Sequence, residues 1–157
     1  MIGSKQLVGF TIAEIKARTT AQGELAMANA LKGKTLTTLT VILPNEEVAA
    51  EMMENIHGHL EFMQQKSYRD GPLKLIQYFI SSGPEWKESS SFLDGKMPER
   101  TGRVVVTLVE IYETDDGLNH HWVESRETYP DFEAWIREVG GEIQLHSFQK
   151  IIQSLWD

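Results

Sequence analysis

The sequence predicts an α+β fold in which four strands form one antiparallel sheet and helices cover one face of it. Three observations predict this class: β-branched and apolar runs of strand length, amphipathic helical segments between them, and the order in which these segments follow one another. The 157 residues are 41% hydrophobic and 24% charged, which is ordinary for one domain with a sizeable core.

The first predicted strand is followed by a long helix. Thr35–Leu43 is rich in β-branched residues and ends before Pro44, which predicts a strand. Asn45 is a suitable N-cap, and apolar residues recur behind it at steps of three and four. This spacing predicts an amphipathic helix that ends near Lys66.

The chain before this strand predicts a helical extension. Thr11 to Lys32 begins with a capping-box pattern and continues through good helix formers, with an interruption near Thr19 to Gly23. We therefore divide the single domain into an N-terminal helical extension, 1–34, and a main α+β part, 35–157.

The second half of the chain predicts two strands, a helix and a last strand. The second strand follows the helix-breaking Asp70-Gly71-Pro72, and a connection over Ser82–Gly102 separates it from the third, which is long for a loop between strands. The predicted elements are Leu73–Ser81, Arg103–Glu113, a helix over Asp131–Val139 that ends at Gly140-Gly141, and Glu142–Ile152.

The resulting order β-α-β-β-α-β is that of the ferredoxin-like split βαβ unit, with both helices on one face of the sheet. Arg103–Glu113 is apolar at nearly every position, so the other face also needs a cover. We expect a second copy of the chain to supply it, in a homodimer whose sheet faces pack together. The alternative is a monomer in which the N-terminal helices cover this face.

The segment from Tyr112 to His121 reads Tyr-Glu-Thr-Asp-Asp-Gly-Leu-Asn-His-His. It resembles a pattern of the dimeric α+β barrel superfamily, in its antibiotic-biosynthesis-monooxygenase-like branch, and His121 falls on the patterned histidine. The resemblance runs from about Leu36 to Ile152. It implies a dimeric α+β barrel and one of the superfamily's activities, which include cofactor-independent monooxygenation of polycyclic aromatic or quinol substrates, haem degradation and isomerisation.

Histidine and aromatic residues are the candidate functional residues. The chain has no cysteine, and no phosphate loop, dinucleotide fingerprint, GxSxG elbow or HExxH motif occurs in it. His121 is the candidate catalytic base or haem ligand, with Tyr112 as its catalytic partner; the alternative is a structural histidine bonded to a backbone carbonyl. The candidate substrate-binding residues are Tyr78, Trp86, His120 and Trp122, with the tyrosines lining the barrel cavity and Trp86 closing its mouth; core packing and a loop anchor are the alternatives for the tryptophans.

The sequence predicts no metal site. His57 and His59 are two positions apart on a predicted helix, so they point roughly 200° apart around its axis and do not chelate one ion together. The acidic pairs Glu46-Glu47 and Asp115-Asp116 belong to helix or turn starts and lack the spacing of a calcium or magnesium site.

The net charge of −8 disfavours a nucleic-acid or anionic membrane partner. The chain shows no membrane span and no signal peptide, so we expect a cytoplasmic protein. The functional hypothesis is a cofactor-independent monooxygenase that acts on an aromatic or quinone-like molecule. The alternatives are a non-catalytic ligand-binding or assembly domain and, third, a haem-binding or haem-degrading protein.

Overall fold

The computed structural model describes residues 31–66 and 71–154, and the fold that follows is that of the compact unit Lys34–Lys150. The predicted helical extension over 1–34 lies almost entirely outside the described residues, so it stays a prediction. Within the described residues, no helix combines the length and the apolar character that a membrane crossing requires.

The unit is of the α+β class, as predicted, with four strands in one antiparallel sheet of order β2-β3-β1-β4. Its elements in chain order are β1 (Thr35–Leu43), α1 (Glu46–Lys66), β2 (Leu75–Trp86), α2 (Ser90–Leu93), β3 (Arg100–Tyr112), α3 (Asp115–Ser125), α4 (Tyr129–Glu138) and β4 (Glu142–Lys150).

The core lies between the sheet and a layer of helices. Alternate residues of β1 are buried, from Thr35 to Leu43, and their neighbours are half-buried, as expected of a strand with two unlike faces. The buried face packs against apolar residues of α1 and against Ile136 of α4. Leu118 of α3 joins a second buried group with Tyr112, so α1, α3 and α4 all lie on the same side of the sheet.

The connection between β2 and β3 is shorter than predicted. Most of the segment over Ser82–Gly102 continues the hairpin, because Ser82 pairs with Val106 and Trp86 pairs with Arg100. Pro84 lacks a backbone N–H. It is tolerated because β2 is an edge strand, and in the described part of the chain no further strand lies beyond it to accept a hydrogen bond. The prediction of a long loop was wrong. The serine, glycine and proline residues of this segment are typical of loops, but pairing with β3 keeps most of it in a strand conformation.

An additional helix, α3, precedes the predicted one. It begins at Asp115 after Thr114, whose side-chain oxygen accepts a hydrogen bond from the N–H of Gly117 at 3.3 Å. At Gly117 a Cβ atom would lie 2.1 Å from the carbonyl oxygen of Leu73, so only glycine allows α3 to come this close to the start of β2. This approach places His121 over the sheet.

Candidate functional site

A cavity of about 380 Å³ lies between the helices and the sheet. Apolar and aromatic side chains form most of its wall, among them Ile56, Phe62, Leu108, Trp122, Phe132 and Leu145. The cavity therefore opens on the helix-covered face of the sheet, whereas the sequence-based hypothesis placed the tyrosine-lined cavity between two sheets.

Three ionisable side chains converge on one end of this cavity. His59 comes from α1, Glu110 from β3 and His121 from α3. Nε2 of His59 lies 3.7 Å from Oε1 of Glu110, and Nε2 of His121 lies 3.8 Å from Oε2 of the same carboxylate. One nitrogen or oxygen atom from each residue lies within 4.8 Å of the other two. We call these residues the His–Glu–His cluster.

The secondary structure explains how each member reaches the cluster. Glu110 is two positions after Leu108 in β3, so it shares the helix-facing side of the strand with the buried apolar residues. His59 lies one helical turn after the buried Ile56 on α1. His121 lies one turn after Gly117, where the close approach of α3 to β2 brings its ring inward.

Hydroxyl groups hold each member of the cluster in place. The hydroxyl of Tyr112 donates a hydrogen bond to Oε2 of Glu110 at 2.8 Å. The hydroxyl of Tyr78 and Nδ1 of His59 are hydrogen-bonded at 3.0 Å. Oγ of Ser125 lies 3.5 Å from Nε2 of His121. The three side chains are therefore oriented by neighbours on the sheet and on α3.

Burial governs the charges of the cluster. It lowers the pKa of His59 to about 4 and that of His121 to about 4, with repulsion from His59 contributing at His121. It raises the pKa of Glu110 to about 7, against the opposing effect of the Tyr112 hydrogen bond. Burial and the nearby Glu110 also raise the pKa of Tyr78 and of Tyr112. Both imidazoles are therefore uncharged at neutral pH.

Among the residues that the structure describes, two atoms of the cluster have no hydrogen-bond partner. Oε1 of Glu110 and Nδ1 of His121 are buried and unpaired, and the Glu110 side chain is 1% exposed. Leaving one such buried group unsatisfied costs roughly 1–3 kcal/mol. A polar end with unpaired atoms next to apolar walls is the arrangement of a ligand-binding site.

The structure brings four of the six predicted site residues to this region. His121 and Trp122 line the cavity, and Trp122 donates a hydrogen bond from Nε1 to Oγ of Ser147 at 2.9 Å. Tyr78 and Tyr112 lie behind the wall, where they contact His59 and Glu110. The tyrosines thus support the cluster on the helix-facing side of the sheet.

His120 and Trp86 lie apart from the cavity. His120 is exposed on α3. Trp86 is eight positions along β2 from Tyr78, which is about 26 Å at the rise of a strand. Its ring packs edge-on against Phe92 at 5.8 Å, with the guanidinium carbon of Arg100 5.6 Å from its centroid. Within one chain, Trp86 therefore anchors the end of the hairpin.

His59 and Glu110 were not among the predicted site residues. His57, two positions before His59, is exposed, and its Nδ1 lies 3.3 Å from the carbonyl oxygen of Met53, so it lies apart from the cluster. One available signal was Glu110 itself, a carboxylate at an inward position of an apolar strand. No local pattern connects His59 with His121.

A comparison with known proteins found no matching family model, no matching curated protein and no matching solved structure. The resemblance to the dimeric α+β barrel superfamily therefore stays a prediction from residue patterns. The function has to be argued from the geometry of the cavity.

Proposed function

We propose that this protein binds a small aromatic or quinone-like molecule in the cavity and acts on it as an enzyme, with monooxygenation as the reaction that the resemblance implies. One observation carries the proposal: the apolar wall ends on the His–Glu–His cluster, in which Glu110 and His121 are buried and each has an unpaired polar atom. Such a combination of apolar walls and few convergent polar groups is typical of sites for small molecules.

The walls suit a planar ligand. The cavity volume of about 380 Å³ falls in the range of roughly 300–1,000 Å³ that is usual for small-molecule sites. Phe62, Trp122 and Phe132 offer aromatic surfaces against which a ring can pack. The hydrogen bond from Trp122 to Ser147 holds one of these surfaces in a fixed orientation.

The polar end suits a hydroxyl or carbonyl group on that ring. A ligand hydroxyl can donate to Oε1 of Glu110, and a ligand oxygen can accept from Nδ1 of His121, which would satisfy the two unpaired atoms of the cluster. His121 and Glu110 are thus the candidates for contact with the reacting group. Tyr112 acts through Glu110, and we assign it a positioning role.

The non-catalytic alternative predicts that side chains fill the interior. The cavity is lined by His121 but not by Tyr112, so it supports small-molecule binding, and a turnover measurement separates an enzyme from a ligand-binding domain. The third hypothesis, haem binding, predicts a Soret band when the purified protein is mixed with haem. An absorption spectrum of the wild-type protein tests it.

The fold details are proposed on separate grounds. The strand order β2-β3-β1-β4 supports a ferredoxin-like arrangement. Val105 and Val109 on the face opposite the helices, together with Phe79 at 49% exposure, support a homodimer through this face.

Binding is tested by blocking the cavity. Leu145 lines it and is 37% exposed, so Leu145→Trp fills space with little strain, whereas Phe148→Trp changes an exposed residue of the same strand that does not line it. We expect the wild type and the Phe148 variant to bind a naphthoquinol with equal affinity in calorimetry. Leu145→Trp should weaken binding by about tenfold or more, a loss of roughly 1.4 kcal/mol. Equal affinity of all three proteins would contradict the proposed site.

Turnover is tested by oxygen consumption with naphthoquinols or anthrones. His121→Ala and Glu110→Gln should lower the rate, while His120→Ala, which changes the exposed neighbour of His121, should leave it unchanged. A His121→Ala rate equal to that of the wild type would refute the catalytic role of His121.

A further inference from the structure

We infer that His59, Glu110 and His121 bind one divalent first-row transition metal ion at the polar end of the cavity. This inference rests on the proposed function only in treating the cavity as the functional site. It departs from the expectation of no metal site, which was argued from the spacing of His57 and His59 along one helix.

The spacing of the three side chains suits one ion. Zinc is bound at roughly 2.0–2.2 Å by imidazole nitrogen and carboxylate oxygen, so two ligands of a tetrahedral ion are about 3.4 Å apart. The Glu110 oxygens are 3.7 Å and 3.8 Å from the Nε2 atoms of His59 and His121. These distances involve the two different oxygens of the carboxylate, and one ligand atom from each of the three residues lies within 4.8 Å of the other two, so side-chain movements of about 1 Å would bring the cluster to coordination distances.

The electrostatics of the cluster also favour a cation. The Glu110 side chain is 1% exposed and its Oε1 has no hydrogen-bond partner among the described residues, so a carboxylate buried at this position needs a compensating positive charge. A divalent ion supplies that charge, and uncharged imidazole is the form that binds metal. The unpaired Oε1 of Glu110 is the carboxylate oxygen that would coordinate such an ion.

Hydrogen bonds in the outer shell orient the ligands. When Nδ1–H of His59 donates to the hydroxyl of Tyr78, the lone pair of Nε2 is directed towards Glu110. The hydroxyl of Tyr112 occupies Oε2 of Glu110 and leaves Oε1 available. Metal-binding histidines and carboxylates usually have such partners.

The ligand set indicates the class of metal. Two imidazoles and one carboxylate suit zinc, iron, cobalt, nickel or copper, whereas calcium and magnesium prefer oxygen ligands alone. Three protein ligands leave coordination positions open, and all three side chains line the cavity. A ligand in the cavity can therefore reach the ion.

The first experiment uses the histidine complement of the chain. Of its five histidines, His57, His120 and His146 are exposed, so a triple alanine variant keeps only His59 and His121. After chelator treatment of the full chain, we expect wild type and triple variant to bind one Zn²⁺ per chain with the same affinity in calorimetry. X-ray absorption at the zinc edge should show two imidazole ligands in both. Absence of zinc binding, or a site without two imidazoles in the triple variant, would overturn the inference.

The second experiment removes the proposed ligands. Glu110→Gln keeps the shape of the side chain and an oxygen acceptor for Tyr112, and His59→Gln and His121→Gln keep a polar side chain. We expect each to weaken Zn²⁺ binding beyond the roughly 10- to 100-fold that the loss of an outer-shell partner causes. Circular dichroism checks the fold of each variant, and the X-ray absorption spectrum of the wild type tests the ligand set without any substitution. Zinc affinity unchanged by Glu110→Gln would contradict the site.

The two proposals fail separately. Naphthoquinol binding by the wild type and by Leu145→Trp is measured on chelator-treated protein, so it does not depend on the metal. Zinc binding that persists while naphthoquinol binding is absent would overturn the ligand class and leave the metal site standing.

Discussion

At the residue scale, two buried polar side chains lie next to each other at one end of the cavity. Glu110 and His121 are buried polar side chains inside an otherwise apolar layer, and their supporting hydroxyls come from Tyr112 and Ser125. Such groups are costly for folding unless they are paired. Both residues line the cavity, and this position is the basis for our proposal that they bind a ligand.

We predict that Tyr112→Phe destabilises the protein. The change removes the hydroxyl that donates to Glu110 and leaves both carboxylate oxygens without a donor, at a cost of about 1.5–3 kcal/mol in the free energy of unfolding. Urea denaturation measures it. In a double-mutant cycle with Glu110→Met, which removes the acceptor oxygens, a coupling energy near zero would show that this hydrogen bond contributes nothing.

We also predict opposite outcomes for Trp86 and Trp122. Trp122→Phe should weaken naphthoquinol binding, because the hydrogen bond that orients this wall is lost, and Trp86→Phe should not. Calorimetry with both variants tests this. If Trp86→Phe weakened binding as much as Trp122→Phe, the hairpin end would contact a cavity, as the sequence-based hypothesis expects of Trp86.

At the element scale, the site depends on where α3 lies. The Thr114 cap starts this helix, and Gly117 allows it to approach the carbonyl group of Leu73. Asp115, at the first position of α3, accepts hydrogen bonds from Thr35 of β1 at 2.6 Å and from Lys150 of β4 at 2.5 Å. The hydrogen bonds from Lys150 and Thr35 lower the pKa of Asp115, in that order of effect. These contacts hold the start of α3 to the sheet.

Two glycine substitutions separate packing from helix propensity. Gly117→Ala places a Cβ atom against a backbone oxygen that has no room to move, so we expect a loss of about 1–3 kcal/mol in the free energy of unfolding. Gly58→Ala, inside α1 with nothing within 4 Å of the new atom, should instead gain about 0.5–1 kcal/mol. Thermal and urea denaturation of both variants give the comparison. A Gly117→Ala protein as stable as Gly58→Ala would refute the close approach.

At the scale of the whole molecule, the two faces of the sheet differ. The helix-facing side holds the core and the cavity. The opposite side carries half-buried valines on β3 and the exposed ring of Phe79 on β2, which pairs with Val109. A second copy packed on this side would remove these apolar groups from water.

We predict that the wild type has twice the mass of the chain in light scattering coupled to size-exclusion chromatography. Phe79→Glu should shift it towards the monomer, because a charge would be buried in the interface. Phe92→Glu, at 44% exposure on the hairpin, is the matched control and should remain a dimer. A monomeric wild type would contradict the proposed assembly.

The sequence predicted most of the regular helices and strands, because the residue patterns that indicate them lie within each segment. Thr35–Leu43 and the helix ending at Lys66 were predicted at the observed bounds or within a residue of them, since periodicity and caps lie within each segment. The Ser82–Gly102 segment was not, because its conformation depends on pairing with β3. At α3 the sequence indicated only a turn or helix entry at Asp115-Asp116-Gly117, and the close approach of this helix to Leu73 depends on a segment far away in the chain.

The sequence by itself determined the α+β class, the strand-rich core and two of the residues that line the cavity, His121 and Trp122. Only the tertiary structure decided that Glu110 and His59 join His121, and that Tyr78 and Tyr112 stand behind them. The physical reason is that the cluster is assembled from α1, β3 and α3, which are far apart along the chain. Its geometry depends on how two helices pack on the sheet, and no periodicity within a single element encodes that.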